Sequence, residues 1–316
     1  STVPTPGNPN APMGARREDD VVERIAQILG GGAPKGQIHI GDDAAVLGPL
    51  VGEAIVSTDT AVAGIHLDLE LFPLDDLGYK AVTSALSDLA AMGAWPRAVV
   101  VAVTAPDGTD IETLYQGVAE ATEAIGVPVV GGDLTSGHEL VVTVTVLGEC
   151  PGGGAVLRSG AKPGDTLFVT RPLGRAAAGL RRRRSGAELS DPLVTAQRRP
   201  WPRFDEGLCA RGLKVHAMMD LSDGLGIDLH RLADASKVGF ALDHVPVAEG
   251  AEEAEAIGGG EDYELLIATD APDELLKAFA AKGLSLPIAI GKVVLDSAER
   301  TWRNEPFEEA GYQHRL

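Results

Sequence analysis

Short apolar runs of strand type, each leading into a tight turn or a polar cluster that carries aspartate, constrain this chain more than any other feature. Residues 54–56 form such a run, and Ser57-Thr58-Asp59 follows where a strand of that length is expected to stop. The pattern recurs at Gly41-Asp42-Asp43, Gly131-Gly132-Asp133 and Asp220-Leu221-Ser222-Asp223-Gly224, while Ser87-Asp88 lies in an apolar helix. Strand ends are where sites gather. Hydroxyls and carboxylates offer only oxygen ligands, which suits a hard cation such as Mg²⁺, and one carboxylate cannot hold a cluster of such ions. The recurrence is therefore the main functional signal.

The elements between these clusters define a fold class. Val21, Val22, Ile25, Ala26 and Leu29 share one face of a helix predicted over 19–29, which Gly30-Gly31-Gly32 ends. Residues 37–40 alternate as a strand. A helix over 76–92, capped by Asp75, buries Leu77, Ala81, Val82, Ala85, Leu86 and Leu89. Lys80, Ser84 and Asp88 stand at i, i+4 and i+8 on another of its faces, and Asp88 sits between Leu86 and Leu89, where burial outweighs a solvated reading. Strands over 98–104, 127–130 and 140–147 and a helix over 110–125 complete this half. Pro151-Gly152-Gly153-Gly154 then breaks the pattern. The second half reads as a strand over 166–170, a helix ending in Arg181 to Arg184, a strand into Asp220, a helix over 227–236 whose first amides could face an anion or a metal-bound phosphate, a strand over 264–268, a helix over 272–282, a strand over 288–294 and a short strand near Thr301. Strand pairs and helices without a steady βαβ rhythm predict an α+β protein of two mixed α/β domains, 19–150 and 151–316. Residues 1–18, rich in proline and without a secretory apolar stretch, read as a mobile tail.

Composition removes several classes of function. The 316 residues hold 27 Lys plus Arg against 46 Asp plus Glu, a net charge of −19, which argues against a nucleic-acid backbone as partner. No apolar run approaches a membrane span. Cys150 and Cys209 form neither a disulfide framework nor a metal motif, which fits a cytoplasmic protein. The glycines of 30–36 lack the Gly-Lys-Ser/Thr of a P-loop, so a nucleotide here needs another architecture. Arg181 to Arg184 are read as a solvated helix end that complements the dipole.

Taken together, Gly41-Asp42-Asp43-Ala44-Ala45, Ser57-Thr58-Asp59 with Gly64 and His66, Ser87-Asp88-Leu89-Ala90-Ala91-Met92-Gly93, Gly131-Gly132-Asp133, Arg158-Ser159-Gly160-Ala161-Lys162-Pro163-Gly164-Asp165, Asp220-Leu221-Ser222-Asp223-Gly224 and Gly259-Gly260-Glu261-Asp262-Tyr263-Glu264 resemble the thiamine-monophosphate kinases. That family belongs to a superfamily with aminoimidazole ribonucleotide synthetase, selenophosphate synthetase and a hydrogenase-maturation enzyme. The resemblance runs in order from about Asp19 to the C-terminus. It implies ATP-dependent phosphorylation of thiamine phosphate to thiamine diphosphate, with several Mg²⁺ ions. It also implies a homodimer whose N-terminal sheets combine into a barrel, with each active site between that barrel and the C-terminal domain. Residue by residue it makes Asp43, Ser57, Thr58, Asp59, Asp88, Asp133, Asp220 and Asp223 the Mg²⁺ ligands, with Asp59, Asp88, Asp133 and Asp220 as the catalytic set. Gly132, Asp133, Arg158, Ser222 and Tyr115 would contact ATP, and His66, Glu261 and Tyr312 the thiamine phosphate.

The chemistry agrees with this inventory. The acceptor is a phosphate monoester whose second pKa lies at roughly 6, so near neutrality it is mostly the dianion and needs no general base. The task is to bring two polyanions into line, which calls for many aspartates and divalent cations rather than a base. Without the resemblance His66 reads as a structural hydrogen-bonding residue and Glu261 as a capping residue on glycine-rich backbone. Asp42 reads as a turn former beside the ligand Asp43. Selenophosphate synthetase and the hydrogenase-maturation enzyme would need a cysteine in an N-terminal loop or at the C-terminus, and neither is expected from Cys150, Cys209 and the ending Gln313-His314-Arg315-Leu316. Aminoimidazole ribonucleotide synthetase and a non-catalytic nucleotide- and metal-binding module remain the alternatives.

Overall fold

The computed structural model describes residues 18–152 and 154–313, so the expected tail, apart from Glu18, lies outside the described residues. The chain opens with α1 (Glu18–Leu29), then β1 (Glu53–Val62), α2 (Leu74–Ala91), β2 (Trp95–Ala105), α3 (Ile111–Ile125), β3 (Val129–Ser136) and β4 (Val141–Cys150). These strands form a four-stranded sheet in the order β1-β4-β2-β3, antiparallel except for the β2/β3 pair.

β1 does not stop at Ser57. It pairs with β4 from Glu53↔Cys150 to Val62↔Val141, so the Ser57-Thr58-Asp59 cluster lies in mid-strand. Threonine is β-branched and fits a pleated surface, and cross-strand hydroxyl pairs extend the ladder: Thr58 with Thr145 at 3.1 Å and Thr60 with Thr143 at 3.0 Å. Gly131-Gly132-Asp133 likewise belongs to β3 rather than to the turn after it. Residues 37–40, expected as a strand, contribute only isolated bridges, Ile38 to Val46 and Ile40 to Asp42.

A second sheet follows, built from β5 (Thr166–Val169), β6 (Ala217–Asp220), β7 (Gly239–Leu242), β8 (Leu265–Thr269), β9 (Ile288–Val294), β10 (Arg300–Trp302) and β11 (Glu305–Pro306) in the order β11-β10-β7-β9-β5-β8-β6. Its β7/β10 pair is parallel and the rest antiparallel, so both α/β units carry mixed sheets. Around it lie α4 (Arg175–Arg184), α5 (Pro192–Arg198), α6 (Phe204–Gly212), α7 (Leu225–Ser236), α8 (Glu253–Gly258) and α9 (Pro272–Ala281). The short elements α5, α6, β7 and α8 have no counterpart in the sequence reading, because none is long enough to show a periodic stripe. Among the described residues no helix is long and apolar enough to cross a membrane.

α2 is buried on nearly every side. Fourteen of its 18 residues are buried, so it is enclosed well beyond the apolar stripe that the sequence shows. Glycine lets its neighbours approach backbone to backbone. A Cβ on Gly117 of α3 would lie 1.8 Å from the Asp75 carbonyl oxygen, and one on Gly207 of α6 would lie 2.0 Å from that of Ala90. Asp75 is not the cap of α2: Pro73 holds that position with no side-chain bond. Asp75 instead pairs with Arg199 at 2.6 Å, and the fully buried Asp76 with Arg198 at 2.5 Å and Arg199 at 2.6 Å. These arginines close α5 and the segment after it onto the start of α2. Gly117→Ala is expected to destabilise the protein by about 3 kcal/mol through overpacking. A urea-denaturation midpoint unchanged from wild type would show that the contact is looser than described.

Candidate active site

A cleft of about 490 Å³ opens between the first sheet with α2 and the second α/β unit. Strand alternation decides what β1 presents there. Ser57 and Asp59 share the α2 face, where Ser57 Oγ donates to Asp88 Oδ2 at 2.5 Å. Thr58 borders the cleft, but its hydroxyl is engaged with Thr145 on the opposite face. From the other side β6 delivers Asp220, whose Oδ2 accepts from Ser87 Oγ at 2.6 Å. Consecutive residues of α2 thus join the two walls, Ser87 by holding the Asp220 carboxylate and Asp88 by accepting from Ser57 of β1.

Burial first, and the nearness of the other acids second, disfavours the charged forms of these carboxyl groups. The carboxyl groups of Asp59 and Asp88 are raised above the usual range, chiefly by loss of solvent, with Asp59 adding its charge to that felt by Asp88. Asp220 is pushed up to about 7 by burial first and by the negative charge of Asp88 second. The exposed Arg158 is near enough to Asp88 to oppose the rise. Among the described residues no group of three or more His, Cys, Asp or Glu side chains is gathered closely enough to hold a metal ion as it stands. The donor set is all oxygen, however, and a hard divalent cation would relieve the mutual repulsion of Asp59, Asp88 and Asp220. The residues therefore fit Mg²⁺ completed by hydroxyl and phosphate oxygens.

The opposite wall is a glycine-rich loop after α8. Glu261 (φ 70°) and Tyr263 (φ 50°) both sit in the left-handed region, a conformation that side chains other than glycine adopt at a cost of roughly 1 kcal/mol. Their amides are pinned by carbonyls next to Asp220 and Asp223: Glu261 N–H donates to Ser222 at 2.7 Å and Tyr263 N–H to Leu221 at 2.9 Å. The side chains then alternate. Glu261 meets Lys80 Nζ on α2 at 2.8 Å, and the buried Tyr263 lines the cleft beside Ser84 of the same helix. Asp262 accepts from the amides of Gly174 (2.5 Å) and Ala176 (2.9 Å) at the start of α4, and Glu264 accepts from Thr170 Oγ1 (2.6 Å) and Arg203.

The structure brings Asp59, Thr58, His66, Asp88, Asp220, Ser222, Asp223, Glu261 and Tyr312 to this one cleft. His66 Nδ1 accepts from the Val62 amide at 3.0 Å, which leaves the proton of a neutral ring on Nε2. Six expected residues do not line it: Ser57, which bonds Asp88, the exposed Arg158, and Tyr115, Gly132, Asp133 and Asp43, which lie elsewhere. Tyr115, Gly132 and Asp133 line a separate cavity of about 120 Å³ beside β3, at the opposite edge of the sheet from β1, and the Tyr115 hydroxyl donates to the Val101 carbonyl at 3.3 Å. Asp43 is exposed on a loop outside the cleft, with its amide donating to Asp42 Oδ1 at 2.8 Å, as expected of a turn former at Asp42. The two amides just before α7, those of Asp223 and Gly224, are taken by Asp228 Oδ2 at 2.9 and 3.2 Å. Sequence reasoning missed Tyr263, Gln197 and the α4 wall of Ala176, Ala177 and Leu180. The alanine run after Gly174 was the available signal, small side chains where another surface approaches closely.

Family models describing AIR synthase related protein match this chain at residues 41–150 (N-terminal domain) and 162–302 (C-terminal domain). Thiamine-monophosphate kinase of Bacillus subtilis is 35% identical over 307 residues, covering 88% of this chain and 93% of its own. The chain belongs to the thiamine-monophosphate kinase family. The crystal structure of that enzyme from Stenotrophomonas maltophilia superposes with a TM-score of 0.78 at 30% identity, covering 92% of this chain and 96% of the other. AaThiL complexed with AMPPCP and TMP superposes with a TM-score of 0.74 at 26% identity, over 94% and 97% of the two chains. The shared architecture places the cleft between the two family domains.

The loop also carries a pH-sensitive group outside the carboxylate cluster. Burial pushes Asp262 up to about 7 from the usual 3.8, against the two amide bonds that favour its charged form. Because the folded value is the higher one, its protonated form stabilises the fold, fully below pH 4, and that contribution is lost as pH rises to 7. The expected loss is on the order of a few kcal/mol. Asp262→Asn should flatten the stability profile over that window; an unaltered slope between pH 4 and 7 in thermal melts would contradict the assignment.

Proposed function

We propose that this protein phosphorylates thiamine monophosphate with ATP, giving thiamine diphosphate and ADP. The observation that carries the reading is the meeting of Asp59, Asp88 and Asp220 in one cleft with His66, Glu261 and Tyr312 on the same walls. Asp59, Asp88, Asp220 and Asp223, with Ser57 and the backbone at Thr58, would hold Mg²⁺. Bound there, the ions would neutralise the facing phosphates and the charge that develops during transfer. Ser222 and Arg158 take the nucleotide side, Arg158 as a planar fork for phosphate. His66, Glu261 and Tyr312 take thiamine phosphate. The acceptor phosphate is ionised on arrival, and no residue needs to remove a proton from it. The chain's own task is to orient donor and acceptor in line and keep water from the γ-phosphoryl group.

The active form is a homodimer, with the two N-terminal sheets combined into a barrel. Its support is the division of the site residues: Asp59 stands on β1 at one edge of the sheet, and Gly132, Asp133 and Tyr115 stand at the other, in their own cavity. The sheet face away from α2 also exposes Val56 (64%) and Val100 (38%), in register with the Thr58 and Thr145 hydroxyls. A second copy laid on that face covers the valines and supplies its Asp133 to the cleft. Asp43 follows the same reading, brought in when its loop closes on substrate. The domains divide at 150/151, and the protein works in the cytoplasm.

Asp59→Asn is expected to lower thiamine diphosphate formation at least ~100-fold with the fold intact. Equal activity of wild type and variant, or product from free thiamine alone, would sink the proposed reaction. Mixing Asp59→Asn and Asp133→Asn chains under exchange should restore about a quarter of wild-type activity, since half the dimers are mixed and each holds one intact site. No recovery in mixtures that mass analysis shows to be half mixed dimers would place Asp133 in the site of its own chain.

A further inference from the structure

The geometry points to Lys80 as a positioning residue for the acceptor half of the site: one buried ammonium holds both the Glu261 carboxylate and the turn that carries His66. This rests on the reading of those two residues as contacts of thiamine phosphate. The Lys80 side chain is 1% exposed, with Nζ 2.8 Å from Glu261 Oε1 and 3.0 Å from the His66 carbonyl oxygen. Glu261 and His66 come from different halves of the protein, and α2 is the element between them.

A buried ammonium costs several kcal/mol unless it is paired, and replacing such a pair with well-packed apolar side chains is often neutral or stabilising. Stability alone therefore does not call for a lysine one turn from Leu77 on a helix as enclosed as α2. What the lysine adds is direction. Glu261 sits at φ 70° with its amide held by the Ser222 carbonyl at 2.7 Å, so the backbone is fixed while the direction of the carboxylate is left to the partner that the side chain meets. The ammonium fixes one oxygen while the side chain stays 28% exposed toward the cleft. Ser84, one turn further along α2, donates to the Lys80 carbonyl at 2.6 Å and gives the acid no second partner.

The substrate gives this arrangement a use. Thiamine phosphate carries a cationic thiazolium ring and an amino group at one end and a dianion at the other. An oriented carboxylate on one wall attracts the cationic, donor-bearing end and leaves the phosphate toward the aspartates. Lys80 also balances the charge of Glu261, so this acid acts as a fixed acceptor and adds less repulsion to the cleft that holds Asp59, Asp88, Asp220 and Asp223. The turn carrying His66 is held by the same ammonium, which sets the distance between the two contacts.

The test is steady-state kinetics on the full chain for wild type, Lys80→Met, Lys80→Gln, Glu261→Gln and the Lys80→Met/Glu261→Gln pair. Binding of an ATP analogue to each serves as the control for folding. Both Lys80 variants should raise KM for thiamine phosphate about tenfold, with KM for ATP within about twofold, and the pair should be no worse than its worse single member. Lys80→Gln keeps a neutral donor for the His66 carbonyl and carries the test if Lys80→Met does not fold. An unchanged KM for thiamine phosphate in a variant that binds the ATP analogue, or effects that multiply in the pair, would overturn the assignment of Lys80 alone. Absence of thiamine diphosphate from the wild-type reaction would overturn the proposed function, and this inference with it.

Discussion

A helix enclosed on nearly all sides has no solvent to satisfy its polar side chains, and α2 carries several. Lys80 and Ser87 are buried and Asp88 is half-buried, so each needs a partner from whatever packs against the helix, whereas the buried Ser84 donates to the Lys80 carbonyl of its own helix at 2.6 Å. The partners come from both halves of the protein: Glu261 for Lys80, Asp220 for Ser87 and Ser57 for Asp88. Each unmet group would cost roughly 1–3 kcal/mol. The two halves consequently cannot slide along α2 by a turn without losing several such contacts together. The glycine contacts from α3 and α6 fix the distance, and the polar contacts fix the register.

That requirement explains why the acids of the cleft are so close. Asp88 and Asp220 are each bound by a hydroxyl from the neighbouring structure, and both hydroxyl–carboxylate bonds meet at adjacent residues of one helix. Holding carboxylates together in this way raises their affinity for protons and for divalent cations alike. The strain of Glu261 and Tyr263 in the left-handed region belongs to the same economy of contacts. Their loop is fastened to Leu221 and Ser222 on one side, to α2 on another, and to the start of α4 through Asp262. Three attachments over-determine it, which is the condition under which such backbone persists.

Much of this was legible in the sequence, and the failures have physical reasons. The face shared by Lys80, Ser84 and Asp88 followed from helical spacing alone, and the aspartates near Asp59, Asp88 and Asp220 from their apolar settings. The end of β1 was misplaced because threonine satisfies strand propensity as well as it satisfies a turn, and only the partner Thr143 and Thr145 decide between them. Asp75 looked like a cap until Arg199, 124 residues away in sequence, took its carboxylate. The bonds from the Asp223 and Gly224 amides, just before α7, to Asp228 were not legible because Asp228 lies inside the helix, where a residue is not read as a cap.

Long-range pairing also explains what no local pattern contains, the distribution of the site residues over the first sheet. Strand order places β1 and β3 at its two edges, although Asp59 and Asp133 carry similar signals in the sequence. Both lie on strands beside glycine or hydroxyl residues, and the spacing of the motifs gives no separation between them. Three inter-strand steps of about 4.8 Å part the two edges, more than any single divalent ion spans at ligand distances of about 2.1 Å. Within one chain, Asp133 cannot share an ion with Asp59 across an intact sheet. Motif order therefore carries the chemistry of this protein, while sheet order decides which of its aspartates one copy of the chain can bring to one place.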